Sequence, residues 1–282
     1  MPDLPRPLVQ PGWLIPNLGS PQLVVLDVRW SLERGAEREA YRRGHIPGAR
    51  FVDLDAELAD PPGERGRHPL PDAERFAASM RRHGVGASSQ VVAYDDVTGA
   101  AARAWWMLRA AGHQEVAVLD GGLQAYLEAG GELTSAAPEP APGDFRATGF
   151  QGWVGADGLE ACRDRGTVVL DARARARFLG QPSPLDPRPG HLPGARSLPW
   201  TDLFERGRLR PPPELRRLLG DSGAAAGPVV VYCGSGVTSC AVLLAMEVAR
   251  TGSGRLYPGS WSEWAADPRR PVHNPREVSR NG

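Results

Sequence analysis

The chemistry in this chain is concentrated in Val229-Val230-Val231-Tyr232-Cys233-Gly234-Ser235-Gly236-Val237-Thr238-Ser239. An apolar run suited to a buried strand ends in a cysteine, and a turn of small residues leads into a helical stretch beginning near Ser239. A thiol at the carboxyl end of a strand and the positive end of a helix is stabilised as the thiolate, its nucleophilic form. A lone cysteine after a valine run is more often plain core, so the turn decides between packing and chemistry. Gly234 and Gly236 let backbone N–H groups crowd around one point, Val237 continues the loop, and Ser235 and Thr238 add hydroxyl donors. Such a nest suits an anion or a sulfur carrying negative charge. A cysteine phosphatase would need an arginine six positions after the cysteine. Position 239 is serine, which argues against that class.

The elements that must position this loop occur twice. In the first half, Leu23-Val24-Val25-Leu26-Asp27-Val28-Arg29 precedes Gly44-His45-Ile46-Pro47-Gly48-Ala49-Arg50, then Val91-Val92-Ala93-Tyr94-Asp95, then Leu119-Asp120-Gly121-Gly122. The second half repeats the order with Val168-Val169-Leu170-Asp171-Ala172-Arg173, Gly190-His191-Leu192-Pro193-Gly194-Ala195-Arg196, Val229 to Cys233, and Leu256-Tyr257-Pro258-Gly259. Apolar runs alternate with helical patterns such as Ala101 to Ala111 and Ser239 to Thr251. The fold class is therefore α/β: two tandem units, each a mostly parallel sheet flanked by helices, with any active site at the carboxyl ends of the strands. The expected division is an amino-terminal domain over 8–133, a proline-rich linker over 134–147 and a carboxyl-terminal catalytic domain over 148–275.

Aligned on the Val-Val-x-Tyr run, Asp95 stands opposite Cys233, so the first half lacks the nucleophile. His45 and His191 recur in both halves and are read as structural, with the ring bonded to loop backbone. The Trp105-Trp106 pair reads as packing.

Composition excludes several functions. The formal net charge is zero, with no basic stripe for nucleic acid, and no apolar run approaches the roughly 20 residues of a membrane span. All 33 cationic residues are arginine, which excludes lysine-dependent phosphate-loop and pyridoxal chemistry. Three cysteines without Cys-x-x-Cys spacing support neither a disulfide framework nor a metal site. Cys162 and Cys240 read as small apolar residues on helices. No cofactor is expected. With no basic-then-apolar leader at the amino terminus, a reducing cytoplasm is the expected compartment.

On these motifs the chain resembles the tandem-domain rhodanese superfamily, including its 3-mercaptopyruvate and thiosulfate sulfurtransferases. The similarity runs from about Gln10 to Pro271 and takes in the Gly-Ser-Trp-Ser-Glu-Trp run at 259–264. The loop Cys233-Gly234-Ser235-Gly236-Val237-Thr238 looks like the mercaptopyruvate branch. The resemblance implies ping-pong transfer of a sulfane sulfur: Cys233 takes sulfur from a small anionic donor and passes it, as a persulfide, to a thiol, thioredoxin or cyanide. It implies substrate binding by Arg177, with Arg188 as a stand-in for a second carboxylate-binding arginine. It also implies a polar relay of Ser235, His68 and Asp55. Thiosulfate as donor and a non-catalytic rhodanese-like binding module are the alternatives.

Overall fold

The computed structural model describes residues 2–163 and 165–278. The chain forms two compact units. One holds the residues up to Asp60, Leu70–Gln151 and Arg206–Leu209; the other holds Pro61–Pro69, Gly152–Glu205 and the residues from Arg210 onward.

In the first unit, five parallel strands lie in the order Leu8–Val9, Val116–Leu119, Gln90–Tyr94, Leu23–Asp27 and Arg50–Phe51. In the second, four parallel strands lie in the order Gly254–Leu256, Val229–Tyr232, Val168–Asp171 and Arg196–Ser197. Parallel neighbours need crossover connections, which helices such as Ala100–Ala110 and Ser239–Ala249 supply. Because helices cover such sheets, the central strands carry continuous apolar runs. Val229, Val230 and Val231 are all buried, each contributing about 1.5–3 kcal/mol of transfer free energy. Each unit has its own core: Leu14, Val25, Ile46, Val92 and Tyr126 in the first, and Leu159, Leu192, Val230, Trp261 and Trp264 in the second.

The repeated motifs fold into matching buried lattices. Asp27 accepts from Arg29 Nε at 3.0 Å and Nη2 at 2.7 Å, and from Tyr94 Oη at 2.6 Å; Arg29 Nη2 also donates to Gly44 O at 2.8 Å. Asp171 accepts from Arg173 Nε at 3.0 Å and Nη2 at 2.6 Å, and from Tyr232 Oη at 2.6 Å, while Arg173 Nη2 reaches Gly190 O at 2.8 Å. These lattices join adjacent strands to the Gly-His-x-Pro-Gly-Ala turn. Buried charges persist only when so paired.

The recurring histidines serve the same turns. His45 Nδ1 lies 2.8 Å from Tyr41 O with its ring stacked on Tyr41; His191 Nδ1 lies 2.7 Å from Phe178 O, stacked on Phe178. Their backbone partners belong to the preceding short helices as well as to loops. Trp105 and Trp106 are buried on Ala100–Ala110. The proline-rich stretch has no helix, and its end packs into the first unit. Gly143 N donates to Arg81 O, and Phe145 packs edge-on to Phe76.

Candidate active site

The strand Val229–Tyr232 ends one residue before Cys233, and the helix Ser239–Ala249 starts six residues after it. The intervening loop wraps the sulfur. Gly236 N donates to Cys233 Sγ at 3.1 Å. Gly236 adopts φ +81°, and a Cβ there would lie 2.4 Å from Pro258 O, so only glycine allows the turn.

Cys233 is buried, which alone would push its thiol up. The hydroxyls of Thr238 and Ser239 and the amides of Ser235 and Ser239 outweigh burial and hold it below the ordinary thiol value. Ser239 Oγ is buried with no other hydrogen-bond partner, which leaves it available to the sulfur.

The segment after the last strand supports the loop from beneath. Cys233 N donates to Ser260 Oγ at 3.1 Å, Trp261 N to Cys233 O at 3.0 Å, and Ser262 N to Gly234 O at 2.9 Å. Ser260 takes the left-handed conformation at φ +55° to do this. Trp261 lies under Arg173, whose guanidinium carbon is 4.4 Å from the ring centroid.

His68 belongs to the second unit, within Pro61–Pro69. Its buried ring places Nδ1 2.7 Å from Ser235 Oγ. The segment is tied to the loop support through Arg67 N, which donates to Ser262 Oγ at 3.0 Å. The structure thus brings Cys233, Ser235 and His68 together. Asp55 lies in the first unit, on the short helix Leu54–Glu57, and accepts from Trp30 Nε1 at 3.1 Å.

Arg177 also reaches the loop: a Cβ on Gly234 would lie 3.2 Å from Arg177 Nη2. Asp186 holds that guanidinium side-on, through Nε at 2.8 Å and Nη2 at 2.5 Å. Arg188 is committed elsewhere. Its Nε donates to Ala265 O at 2.9 Å and its Nη2 to Asp267 O at 2.7 Å and Arg270 O at 3.1 Å. It fastens the turn after the helix Ser260–Trp264. Cys162 and Cys240 are buried on helices, with Cys162 Sγ 2.9 Å from Arg255 Nη2 and Cys240 Sγ 3.5 Å from Gly236 O.

Sequence reading missed Arg67, Asp186 and the anchoring parts of Ser260 and Ser262. The 259–264 run was visible as a motif, but nothing in it specifies which backbone groups its hydroxyls would meet. No group of three or more metal-binding side chains occurs among the described residues, and no described helix is long and apolar enough to cross a membrane.

Two parallel sheets of repeated plan, one ending in a loop-wrapped thiol whose ionisation the loop donors favour, define a nucleophilic sulfur enzyme of duplicated α/β architecture. The family model of the rhodanese-like domain matches residues 10–129 and 156–267. A provisionally named 3-mercaptopyruvate sulfurtransferase of Pseudomonas aeruginosa is 43% identical over 277 residues, covering 92% of this chain and 95% of the relative. A provisionally named thiosulfate sulfurtransferase of Mycobacterium tuberculosis is 41% identical over 255 residues, covering 88% and 89%. The crystal structure of SseA from Escherichia coli, a 3-mercaptopyruvate sulfurtransferase of the rhodanese fold, superposes with a TM-score of 0.79 at 36% identity, covering 91% of this chain and 99% of that one. The chain belongs to the rhodanese-like family of sulfurtransferases.

Proposed function

We propose that this chain moves a sulfane sulfur from 3-mercaptopyruvate, through a persulfide on Cys233, to a thiol acceptor such as thioredoxin or to cyanide. The observation that carries the reading is the Cys233 thiol held low by loop donors beside the Ser235–His68 pair.

In the first half-reaction the Cys233 thiolate attacks the donor sulfur. An S–S bond forms, the donor C–S bond breaks, and its electron pair passes to the carbon as the enolate of pyruvate. A proton must then reach that carbon, and a hydrogen-bond donor at the carbonyl oxygen lowers the cost of the enolate. Ser235 Oγ, 2.7 Å from His68 Nδ1, is placed to serve these ends. We assign Asp55 an orienting part in that relay, as the family resemblance implies. The loop amides that face Sγ would then hold the charge of the outer sulfur. In the second half-reaction the acceptor attacks the outer sulfur, the S–S bond breaks, and Cys233 leaves as the thiolate. Arg177 supplies a guanidinium for the donor's anionic end, and Arg188 a structural tie.

Thiosulfate is kept as a second donor because a relative 41% identical carries that name. Comparing kcat/KM for the two donors tests the reading, with 3-mercaptopyruvate expected to be the better substrate. Purified protein that releases neither pyruvate from 3-mercaptopyruvate nor thiocyanate from thiosulfate and cyanide would sink it, leaving a non-catalytic binding module. Ser235→Ala and His68→Ala are each expected to lower mercaptopyruvate turnover by about a hundredfold, and thiosulfate turnover less. Equal losses with both donors would reduce the pair to a scaffold for the loop.

A further inference from the structure

We infer that Asp186 is a positioning residue for sulfur transfer: it fixes which edge of the Arg177 guanidinium faces the Cys233 loop. The part of Arg177 itself, meeting the donor's anionic end, rests on the sulfurtransferase reading. The Asp186 side chain is 3% exposed and that of Arg177 20%. Asp186 takes the side edge of the guanidinium, through Nε at 2.8 Å and Nη2 at 2.5 Å. The end edge is turned to the loop. A Cβ on Gly234 would lie 3.2 Å from Arg177 Nη2 and 3.7 Å from Nη1. A guanidinium bonds carboxylates edge by edge, so a carboxylate fixed on one edge decides which is left for a second anion.

The same carboxylate joins Arg177 to the buried lattice. Arg173 Nη1 is buried with no hydrogen-bond partner, and Asp186 Oδ2 lies 3.5 Å from it. Burial pulls the Arg173 guanidinium down, and Asp171, with Asp186 behind it, holds it up. A tight turn carries Asp186: its N donates to Ser183 O at 3.1 Å, and Leu185 N to Ser183 Oγ at 3.3 Å. Two residues on, Arg188 fastens the segment to the carbonyls of Ala265 and Asp267, and Trp261 Nε1 donates to Arg188 O at 3.0 Å. Asp186 is thus tied on one side to the lattice and on the other to the helix that supports Cys233.

The first unit has no arginine to aim and no such bridge. Its lattice arginine, Arg29, is ion-paired with Asp27 alone among the described residues.

Charge alone and positioning predict opposite signs. An aspartate beside the site repels an anionic donor, so its removal would tighten binding if Asp186 acted through charge only. As a positioning residue, its removal frees Arg177 to turn and weakens binding.

The test is Asp186→Asn, read as kcat and KM for 3-mercaptopyruvate and as protection of Cys233 by pyruvate against iodoacetamide, each rate taken relative to the unprotected one. KM and the pyruvate concentration for half-protection are expected to rise about tenfold each, with kcat within about threefold of the parent. In an Arg177→Gln background the same substitution should change neither by more than about twofold, because Asp186 acts through Arg177. Unchanged or tighter binding would overturn the inference, and so would a tenfold loss that persists without Arg177.

If Asp186→Asn does not fold, Asp186→Glu decides. It keeps the charge but displaces the carboxylate, so a rise of about threefold is expected and unchanged affinity is fatal. A parent chain that pyruvate protects but that releases none from 3-mercaptopyruvate would sink the proposed activity and leave Asp186 its role. Normal turnover in the parent with undiminished donor affinity in Asp186→Asn would do the reverse.

Discussion

The loops at 95–101 and 233–239 leave equivalent strands, above equivalent Asp–Arg–Tyr lattices, yet they hold different side chains. In the first unit the Asp95 carboxylate fills its own loop, accepting from Val97 N at 2.8 Å, Ala101 N at 2.9 Å and Thr98 Oγ1 at 3.2 Å. In the second, the same turn of chain surrounds a sulfur. The backbone nest is thus a property of the repeat, and the residue placed in it decides whether the loop is finished or reactive. A carboxylate that has consumed the amides leaves no place for a substrate anion.

The two occupants also titrate in opposite directions. Burial dominates at Asp95 and pushes its carboxyl up, despite the amides of Ala101, Val97 and Thr98 and the Thr98 hydroxyl. At Cys233 the hydroxyls of Thr238 and Ser239 add to the amides and overcome burial. The supports differ as well. Leu123 N bonds Asp95 O at 3.0 Å as Trp261 N bonds Cys233 O, but glycine at 122 stands where Ser260 offers a hydroxyl to Cys233 N. Six residues beyond the lattice aspartates, the first unit has Glu33 and the second Arg177. The matching positions thus carry opposite charge.

Exchanging the occupants should give the largest contrast. Cys233→Ser is expected to abolish sulfur transfer, and Asp95→Ser to leave kcat within about twofold of the parent, read as pyruvate release. A comparable loss in both would end the distinction between a finished loop and a reactive one. Next comes the lattice the loops share. Asp27→Ala strands the buried Arg29 guanidinium and should cost about 3–5 kcal/mol in chemical denaturation, while Asp171→Ala leaves Arg173 the Asp186 carboxylate at 3.5 Å and should cost somewhat less. A loss below about 1 kcal/mol in either would show that its ion pair is dispensable.

Smaller effects separate the occupants by pH. The pH profile of Cys233 alkylation should have its midpoint below the ordinary thiol value, and Thr238→Val and Ser239→Ala should each move it upward, by about one unit or less. An unmoved midpoint would remove the hydroxyls from the account.

The smallest effect is on stability. Asp95 has a folded-state value above its unfolded one, so its contribution is fully present below the unfolded value and lost as pH rises through the folded value. The melting-temperature advantage of the parent over Asp95→Asn should therefore shrink as pH rises from about 3 to 7. Cys233 has the opposite sign. Its thiolate contributes stability above the unfolded thiol value and loses it as pH falls through the lowered folded value.

Much of this contrast could be read from the chain alone. The paired Leu-Asp-x-Arg and Gly-His-x-Pro-Gly-Ala segments announced two parallel-sheet units, and Asp95 opposite Cys233 announced one nucleophile. Those signals are local in sequence and tied to backbone geometry. Arg67 gave no such signal, because in a chain whose 33 cations are all arginine no single one stands out, and its nearness to Gly234 comes from the path of 61–69. Arg188 misled for the same reason. Proximity to Arg177 in sequence could not reveal that its Nε and Nη2 donate to the carbonyls of Ala265, Asp267 and Arg270. Phe145 likewise packs into the first unit because its ring finds Phe76, although proline-rich surroundings mark it as linker.

The central claim is that one loop carries the transferred sulfur. Mass analysis of the protein after brief exposure to 3-mercaptopyruvate without acceptor, followed by peptide mapping, tests it most directly. The account predicts the added mass of a single sulfur atom on the Cys233 peptide, discharged by cyanide and absent from Cys233→Ser. Sulfur on Cys162 or Cys240, or an adduct that survives in Cys233→Ser, would contradict it.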